Sequence, residues 1–361
     1  MNTSKLLLST LATFALTLAS CSADDGPADA GVARSDRQIR FGASTEMTRN
    51  DITTNNLTAF NVYAYIGTGT NQKVFMDNVT VSKNATNVWT YSPVEYWPAK
   101  ETVDFYAFAP SDWLGSATPV APIPYDNMWA SEDIVYAVNP NMSGHTGSPN
   151  AQVHFNFRHA LSKVIIKLSS TNADLQVKVT NVALANIAMR GNFHFPTLST
   201  SGNVTPNTIG YWNDQNTTGP YMYHMAQTAD DVITLTSTPN DLSNYDIGFG
   251  GAKYIIPQKL VWNNDGSGSD TYLTVMCSVY DAHSGAKLWP NANTPEENVV
   301  VGSTYGDGLL KFPLSTAAFN EWHPGYQYIY NVVINSNDEM GAIQFGDPAV
   351  DAYVDVDTNY Q

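Results

Sequence analysis

The feature that most constrains the fold is a series of short segments in which apolar and polar residues alternate, separated by stretches rich in Gly, Asn, Pro and Ser. No helical stripe of convincing length interrupts them. We predict strands at residues 38–43, 57–66, 73–76, 88–91, 103–109, 134–137, 153–157, 161–168, 175–184, 191–195, 232–235, 254–256, 271–280 and 326–335. Short strands joined by such turns pack as β-sandwiches, whereas a βαβ sheet needs helices between its strands. The sequence therefore predicts an all-β protein.

The length of the chain and one polar break predict two domains. The 361 residues are enough for two domains of ordinary size. The break is Ser-Ser-Thr-Asn at residues 169–172, directly after an apolar strand segment. The expected divisions are a signal peptide at 1–20, a flexible tether at 21–37, β-sandwiches at 38–169 and 170–337, and a C-terminal extension at 338–361.

The first residues have the pattern of a lipoprotein signal. Lys5 precedes an apolar run at 6–18, which is too short to span ~30 Å of hydrocarbon, and Leu-Ala-Ser-Cys at 18–21 closes it. Lipoprotein signal peptidase cleaves such a sequence after acylation of the thiol, so Cys21 is the expected lipidation site and mature N-terminus. Ser-Ala-Asp-Asp at 22–25 resembles the export signal of Bacteroidales surface lipoproteins, which implies the outer face of the outer membrane.

Charge and cysteine usage narrow the choice of partners and chemistry. The net charge is −16 with only 17 Lys and Arg, which argues against nucleic acid or an anionic membrane surface as partner. Charged residues make up 14% of the chain, while Asn, Thr, Ser and Tyr are abundant, as in exported β proteins. With Cys21 acylated, no disulfide can form within the chain. Cys277 is expected to be a small buried residue on a strand.

No common catalytic signature is present, which argues against an enzyme, and we expect no cofactor. His154 and His159 lie five residues apart, but no third residue has the spacing of a zinc ligand. We expect His159 to begin a strand and to bond a backbone group. The run Asp-Gly-Ser-Gly-Ser-Asp at 265–270 lacks the acids of a calcium loop and predicts a hairpin turn.

Aromatic residues concentrate in one part of the chain. They are Trp89, Tyr91, Tyr96, Trp97, Phe105, Tyr106 and Phe108. Phe105 and Ala107 alternate with Tyr106 and Phe108, which predicts that one of these pairs enters the sandwich while the other covers its rim or a domain contact. Packing is thus the favoured role, and a glycan-stacking role stays open.

Several strings, in this order, resemble the fimbrillin family, the type V pilins and their anchor and tip relatives in Bacteroidales. They are Ile-Arg-Phe at 39–41, Thr-Arg at 48–49, Phe-Asn-Val-Tyr-Ala-Tyr at 60–65, Trp-Thr-Tyr-Ser-Pro at 89–93, Tyr-Trp-Pro at 96–98, Phe-Tyr-Ala-Phe-Ala-Pro at 105–110, Phe-Arg-His-Ala-Leu-Ser-Lys-Val at 157–164, Ile-Ile-Pro-Gln at 255–258 and the stretch 322–330. The resemblance covers nearly the whole mature chain. It implies two tandem transthyretin-like Greek-key β-sandwiches.

The resemblance also implies activation by proteolysis. In this family a trypsin-like protease cuts the precursor after an Arg, the first strand leaves, and a strand from a neighbouring subunit fills the vacated groove. Ile39 and Phe41 would belong to the excised strand. Arg49 is the candidate cleavage point, because it lies in a polar stretch between the first two predicted strands. Cleavage at Arg34, Arg37 or Arg40 would leave much or all of the first strand attached.

The C-terminal segment is the candidate donor strand. Three pairs of apolar residues spaced by two would each present one face, as in a strand. The pairs are Ile343 and Phe345, Val350 and Ala352, and Val354 and Val356. In the alternative, the segment completes the sheet of its own C-terminal domain.

Two classes of function follow. The first is a fimbrial subunit that supports adhesion, with other pilin subunits, an activating protease and the membrane lipid as partners; a non-polymerising anchor or tip adhesin belongs to the same class. The second is a surface glycan-binding lipoprotein. A surface hydrolase is a third possibility for which no residue can be nominated.

Overall fold

The structure is a computed structural model, and it describes residues 37–44, 52, 56–67, 72–128, 130, 132–144, 152–196, 209–244, 251–263, 268–335 and 349–352. Twenty strands and three short 3₁₀ turns lie in these ranges. The strands are β1 Arg40–Ser44, β2 Ala59–Ile66, β3 Lys73–Lys83, β4 Trp89–Tyr91, β5 Val103–Ala109, β6 Ile123–Asp126, β7 Val135–Met142, β8 Gln152–Asn156, β9 Arg158–His159, β10 Ser162–Ser169, β11 Leu175–His194, β12 Tyr211–Met225, β13 Ile233–Thr234, β14 Asn240–Asp241, β15 Lys253–Ile255, β16 Tyr272–Asp281, β17 Lys287–Trp289, β18 Gly308–Pro313, β19 Tyr326–Val333 and β20 Ala349–Ala352. The turns are Ala229–Asp231, Leu242–Asn244 and Glu296–Asn298.

The strands form two pairs of facing layers. In the first half, a six-stranded sheet of order β4-β3-β2-β5-β7-β9 faces the parallel pair β1-β8. In the second half, a sheet of order β14-β10-β19-β20, joined by β15, faces a sheet of order β12-β11-β16-β17, joined by β6, β13 and β18. The predicted all-β class is confirmed.

Strand partners locate where the chain passes from one pair of layers to the other. The last strand of the six-stranded sheet is β9, which pairs with β7. Among the described strands, β10 pairs with β14, β15 and β19. Apart from β6, which pairs with β11, the described strands up to β9 thus belong to the first pair of layers and those from β10 onward to the second. The division into two domains, with a boundary at 169–172, stays a prediction.

Three apolar clusters hold the layers together. The first lies between β1-β8 and the six-stranded sheet and is rich in Phe. The second fills the space between the two later sheets and contains Cys277. The third is aromatic and joins the halves, with Tyr106 and Phe108 of β5 packed against Phe193 and Phe195.

Strand β5 therefore has two buried faces. Phe105 and Ala107 belong to the first cluster, while Tyr106 and Phe108 belong to the third. All seven residues of the strand are buried. The predicted alternation is confirmed, and the second pair packs against aromatic residues of β11.

The loop at 265–270 is only partly described. The backbone N–H of Thr271 donates to the carbonyl oxygen of Val261 at 2.7 Å. The backbone N–H of Asn263 donates to the carboxylate of Asp270 at 2.7 Å. These contacts join the two sides of a tight connection, although residues 259–262 do not form a strand.

Candidate functional site

The candidate site is the groove that β1 occupies. On one side β1 pairs in parallel with β8, in a register that sets Arg40 opposite Gln152. Just before β1, the backbone N–H of Ile39 donates to the carbonyl oxygen of Glu95 at 3.0 Å, and that of Trp97 donates to the carbonyl oxygen of Arg37 at 2.9 Å. Among the described strands β1 itself pairs with β8, so departure of residues 37–44 would leave the backbone edges of β8 and of the 95–97 segment unpaired.

The side chains of the β1 segment enter the first cluster. Ile39 is fully buried and Phe41 is 2% exposed. The Phe41 ring stacks on Phe155 at 5.6 Å between centroids, and it meets Tyr91 at 5.0 Å and Phe105 at 5.9 Å. Fully burying one such side chain contributes about 1.5–3 kcal/mol. The segment therefore covers the first apolar cluster and also contributes two of its buried side chains.

Tyr91 fixes the edge of the groove. Its hydroxyl donates to the carbonyl oxygen of Ile39 at 2.9 Å and accepts from the backbone N–H of Glu95 at 3.2 Å. Burial raises the pKa of Tyr91 to about 12, against a hydrogen bond to the Glu95 backbone that lowers it. The phenol is thus neutral across the physiological range and acts as a hydrogen-bonding bridge.

A buried contact between His159 and Asp133 lies beside Ile52, the first described residue after residues 45–51. His159 Nδ1 lies 2.7 Å from Asp133 Oδ2, and both side chains are almost fully buried. The same Asp133 oxygen accepts the backbone N–H of Ile52 at 3.1 Å. The pairing of β9 with β7 brings the His159 ring beside this carboxylate, which precedes β7, and a bond from the ring to a backbone group stays a prediction.

The structure describes only some of the candidate processing sites. Arg49 and Cys21 lie outside the described residues, as does Arg34. Arg37 donates to the carbonyl oxygen of Trp97 at 2.8 Å, and Arg40 is in the ladder of β1. Cleavage after Arg49 stays a prediction. The nearest described contacts on either side of Arg49 are the pairing of Ser44 with Asn156 and the hydrogen bond from Ile52 to Asp133.

Only part of the candidate donor segment is described. Val350 lies opposite Tyr328 and Ala352 opposite Tyr326, in the antiparallel pairing of β20 with β19. The other four candidates, Ile343, Phe345, Val354 and Val356, lie outside the described residues. In this chain, residues 349–352 extend the edge of the sheet that contains β19, which is the arrangement expected if the segment completes its own C-terminal domain.

Other predicted features concern chemistry. Cys277 is fully buried on β16, as predicted, and burial raises the pKa of its thiol. Among the residues that the structure describes, no three His, Cys, Asp or Glu side chains are grouped as a metal site would require. Within the same residues, no helix is long and apolar enough to cross a membrane.

The paired layers, with a first strand packed into the core, define an all-β protein of the fimbrial fold class. A family model described as Fimbrillin-like matches residues 45–344, and the chain belongs to that family, as the sequence resemblance predicted. The family is one of structural fimbrial proteins, which supports a pilus or adhesion subunit at the cell surface. No curated protein matches the chain.

The chain is similar to several solved structures, of which the first agrees with it in fold. A fimbrial protein from Bacteroides vulgatus is 17% identical with a TM-score of 0.52, covering 88% of this chain and 100% of its own. A proposed cell adhesion protein from Bacteroides uniformis is 15% identical with a TM-score of 0.49, covering 88% and 100%. The tip fimbrial protein Mfa3 from Porphyromonas gingivalis is 10% identical with a TM-score of 0.38, covering 82% and 94%.

Proposed function

We propose that this protein is a fimbrial subunit that supports adhesion, exported as a lipoprotein on Cys21, activated by cleavage after Arg49 and assembled by strand exchange. The observation that carries the proposal is the burial of the β1 segment in the core. Strand β1 contributes Phe41 to the core and pairs with β8, and the chain continues from β1 to the other strands through residues 45–51. A single cut there separates it covalently from the core that it covers.

The physical consequence of that cut supports assembly. Loss of β1 would expose Phe155, Phe105 and Phe60, which surround Phe41. It would also leave β8 with an unpaired edge. An added strand from another subunit restores both the apolar contacts and the backbone ladder. Because exposing apolar side chains and an unpaired strand edge to water costs free energy, cleavage favours association with another subunit.

The proposal is tested by limited proteolysis of the chain beginning at Ser22, which cannot be acylated. Trypsin should give a product that begins at Asn50, identified by intact mass, and the product should form oligomers in size-exclusion chromatography. Arg49→Gln should block both events. Arg190→Gln, which removes an exposed arginine elsewhere, is the matched control. Oligomers that form equally well from the Arg49→Gln chain would refute cleavage-driven assembly.

The donor role of the C-terminal segment is tested with a chain truncated after Asn337. If the segment is donated, the truncated protein folds, is cleaved and cannot extend a polymer. If the truncated protein fails to fold, the segment belongs to its own domain.

A non-polymerising tip or anchor subunit is the second candidate. The pairing of β20 with β19 in the same chain supports it, because a strand that stays in its own sheet is not available for donation. Mixing the cleaved, truncated protein, which has an open groove and no donor segment, with the uncleaved full-length protein separates the two: a shaft subunit forms a heterodimer, and a subunit that donates no strand does not. A tip subunit accepts a donor strand but donates none.

A further inference from the structure

A polar cleft lies on the outward face of the second half, where β6, β11 and β12 run side by side. It has a volume of about 350 Å³, within the range of ~300–1,000 Å³ typical of small-molecule sites. Arg190 on β11 lies opposite Asp126 on β6 and opposite Asn216 on β12. Arg190, Asn192 and His194 alternate with the buried Gly191 and Phe193, so the first three share the outward face.

The side chains of this cleft are held in place by one another. Arg190 Nε donates to Asp126 Oδ2 at 2.8 Å, and Asn192 Nδ2 donates to Asp214 Oδ2 at 3.0 Å. Asn216 Nδ2 donates to the backbone oxygen of Asp214 at 2.7 Å. A guanidinium has five N–H donors and a carboxylate about four acceptor positions, so these bonds leave capacity for a ligand.

The backbone of the cleft is irregular where it would otherwise be a plain ladder. The register of β11 and β12 shifts between Arg190 and Asn192, so β12 carries an extra residue at this point. Asp214, within the shift, has a φ of +51°, which is sparsely populated for a residue other than glycine. Bulges of this kind redirect side chains and are over-represented beside functional sites. Here the irregularity brings the Asp214 carboxylate to Asn192.

An exposed aromatic surface continues the cleft along the same face. Tyr211 is 49% exposed, and its ring is stacked on His194 with centroids 4.6 Å apart and an interplanar angle of 1°. The His194 ring is oriented by Asn213, whose Oδ1 lies 2.9 Å from Nε2. His194 is two residues beyond Asn192, which places the two about 7 Å apart along the strand. That separation suits a ligand of two adjoining rings.

We propose that the cleft and the Tyr211 surface together bind a neutral glycan. Planar amide, carboxylate and guanidinium groups match pairs of hydroxyls, and an aromatic face matches the apolar C–H face of a sugar ring. The net charge of −16 disfavours an anionic polysaccharide. The guanidinium of Arg190 beside Asp126 disfavours a metal cation. The inference extends the adhesive role proposed above by naming what the subunit adheres to.

The experiment is a neutral and sialylated glycan array with the uncleaved monomer, followed by titration calorimetry with the neutral oligosaccharides that bind. Asp214→Asn and Tyr211→Ala should each weaken binding at least tenfold. Asp174→Asn alters an exposed aspartate elsewhere and should leave binding unchanged. Unchanged thermal unfolding shows that each variant is folded, and because Tyr211 is surface-exposed, Tyr211→Ala remains informative if Asp214→Asn is not folded.

Three results would overturn the proposal: no neutral glycan binds, only sialylated glycans bind, or binding is unaffected by both variants. Since the monomer is used, a failure here does not bear on cleavage or assembly. Conversely, a Tyr211→Ala protein that is cleaved after Arg49 and polymerises normally shows that the glycan site is separate from the assembly site.

Discussion

Replacing Phe41 with Ala tests whether β1 is held chiefly by its central aromatic side chain. The ring is 2% exposed and lies within 6.4 Å, centroid to centroid, of four aromatic rings: Phe60, Tyr91, Phe105 and Phe155. Because rigid aromatic rings cannot move far to fill the cavity that Phe41→Ala leaves, the loss in the free energy of unfolding should lie within the ~3–5 kcal/mol typical of a buried Phe-to-Ala change. Total stabilities of about 5–15 kcal/mol make this a large loss.

The assay combines urea denaturation with trypsin susceptibility, both in the Arg49→Gln background so that cleavage after Arg49 does not release β1 first. Arg40 lies in the β1 ladder, and cleavage there requires local opening. When reclosing is faster than cleavage, a loss of about 4 kcal/mol confined to this region should speed the cut after Arg40 by roughly a thousandfold. Val301→Ala, at a site that is 88% exposed, is the control and should change stability by less than ~0.5 kcal/mol. A Phe41→Ala protein as stable and as resistant as this control would refute the reasoning.

Three further predictions concern the core. His159→Gln should destabilise the protein by about 1–3 kcal/mol in thermal or urea unfolding, because it removes the ring nitrogen that partners the buried Asp133 carboxylate, whereas His283→Gln, at an exposed pair, should cost almost nothing. Gly308→Ala should cost more than ~1 kcal/mol, since a Cβ there would lie 2.0 Å from the Trp289 ring; an unaltered unfolding midpoint would contradict this packing. Burial lowers the pKa of Lys253 to about 8, so between about pH 8 and 10.5 the unfolded state binds a proton that the folded state does not. Lys253 therefore destabilises the folded state less as the pH rises through this window. Any stabilisation by Lys253→Met should be larger at pH 7 than at pH 9.5, and a pH-independent difference would count against this reasoning.

The run of apolar, β-branched and aromatic residues was sufficient to predict individual strands, and residues 103–109 are found as β5 with the predicted bounds. Alternation separated Phe105 and Ala107 from Tyr106 and Phe108, but the sequence did not indicate which pair faces which cluster. Strand β12 was missed because its first ten residues, ending in Gly-Pro, are polar and turn-like. Such a sequence is tolerated at a sheet edge, where one side of the backbone needs no partner and a register shift absorbs the irregularity.

Long-range pairing could not be read from the sequence. The parallel partner of β1 is β8, and Gln152 is 111 residues beyond Phe41, to whose carbonyl oxygen it donates. Period-two alternation specifies which face of each strand is buried and says nothing about which strands are neighbours. For the same reason the His159–Asp133 pair was not anticipated: it depends on the pairing of β7 with β9. The glycan cleft likewise depends on β6, which leaves the first half to pair with β11.

The two buried faces of β5 would allow β1 to leave after the proposed cleavage without separating the two halves of the protein. Phe105 contacts Phe41 on the face toward β1, whereas Tyr106 contacts Phe195 on the opposite face. Removal of β1 unpacks only the first face, and the hydrogen bonds of β5 to β2 and β7 do not involve it. The aromatic cluster between the halves therefore retains its support while the groove is empty. We infer that the groove and the junction are energetically separable, so an incoming strand refills an already positioned site instead of rebuilding the subunit.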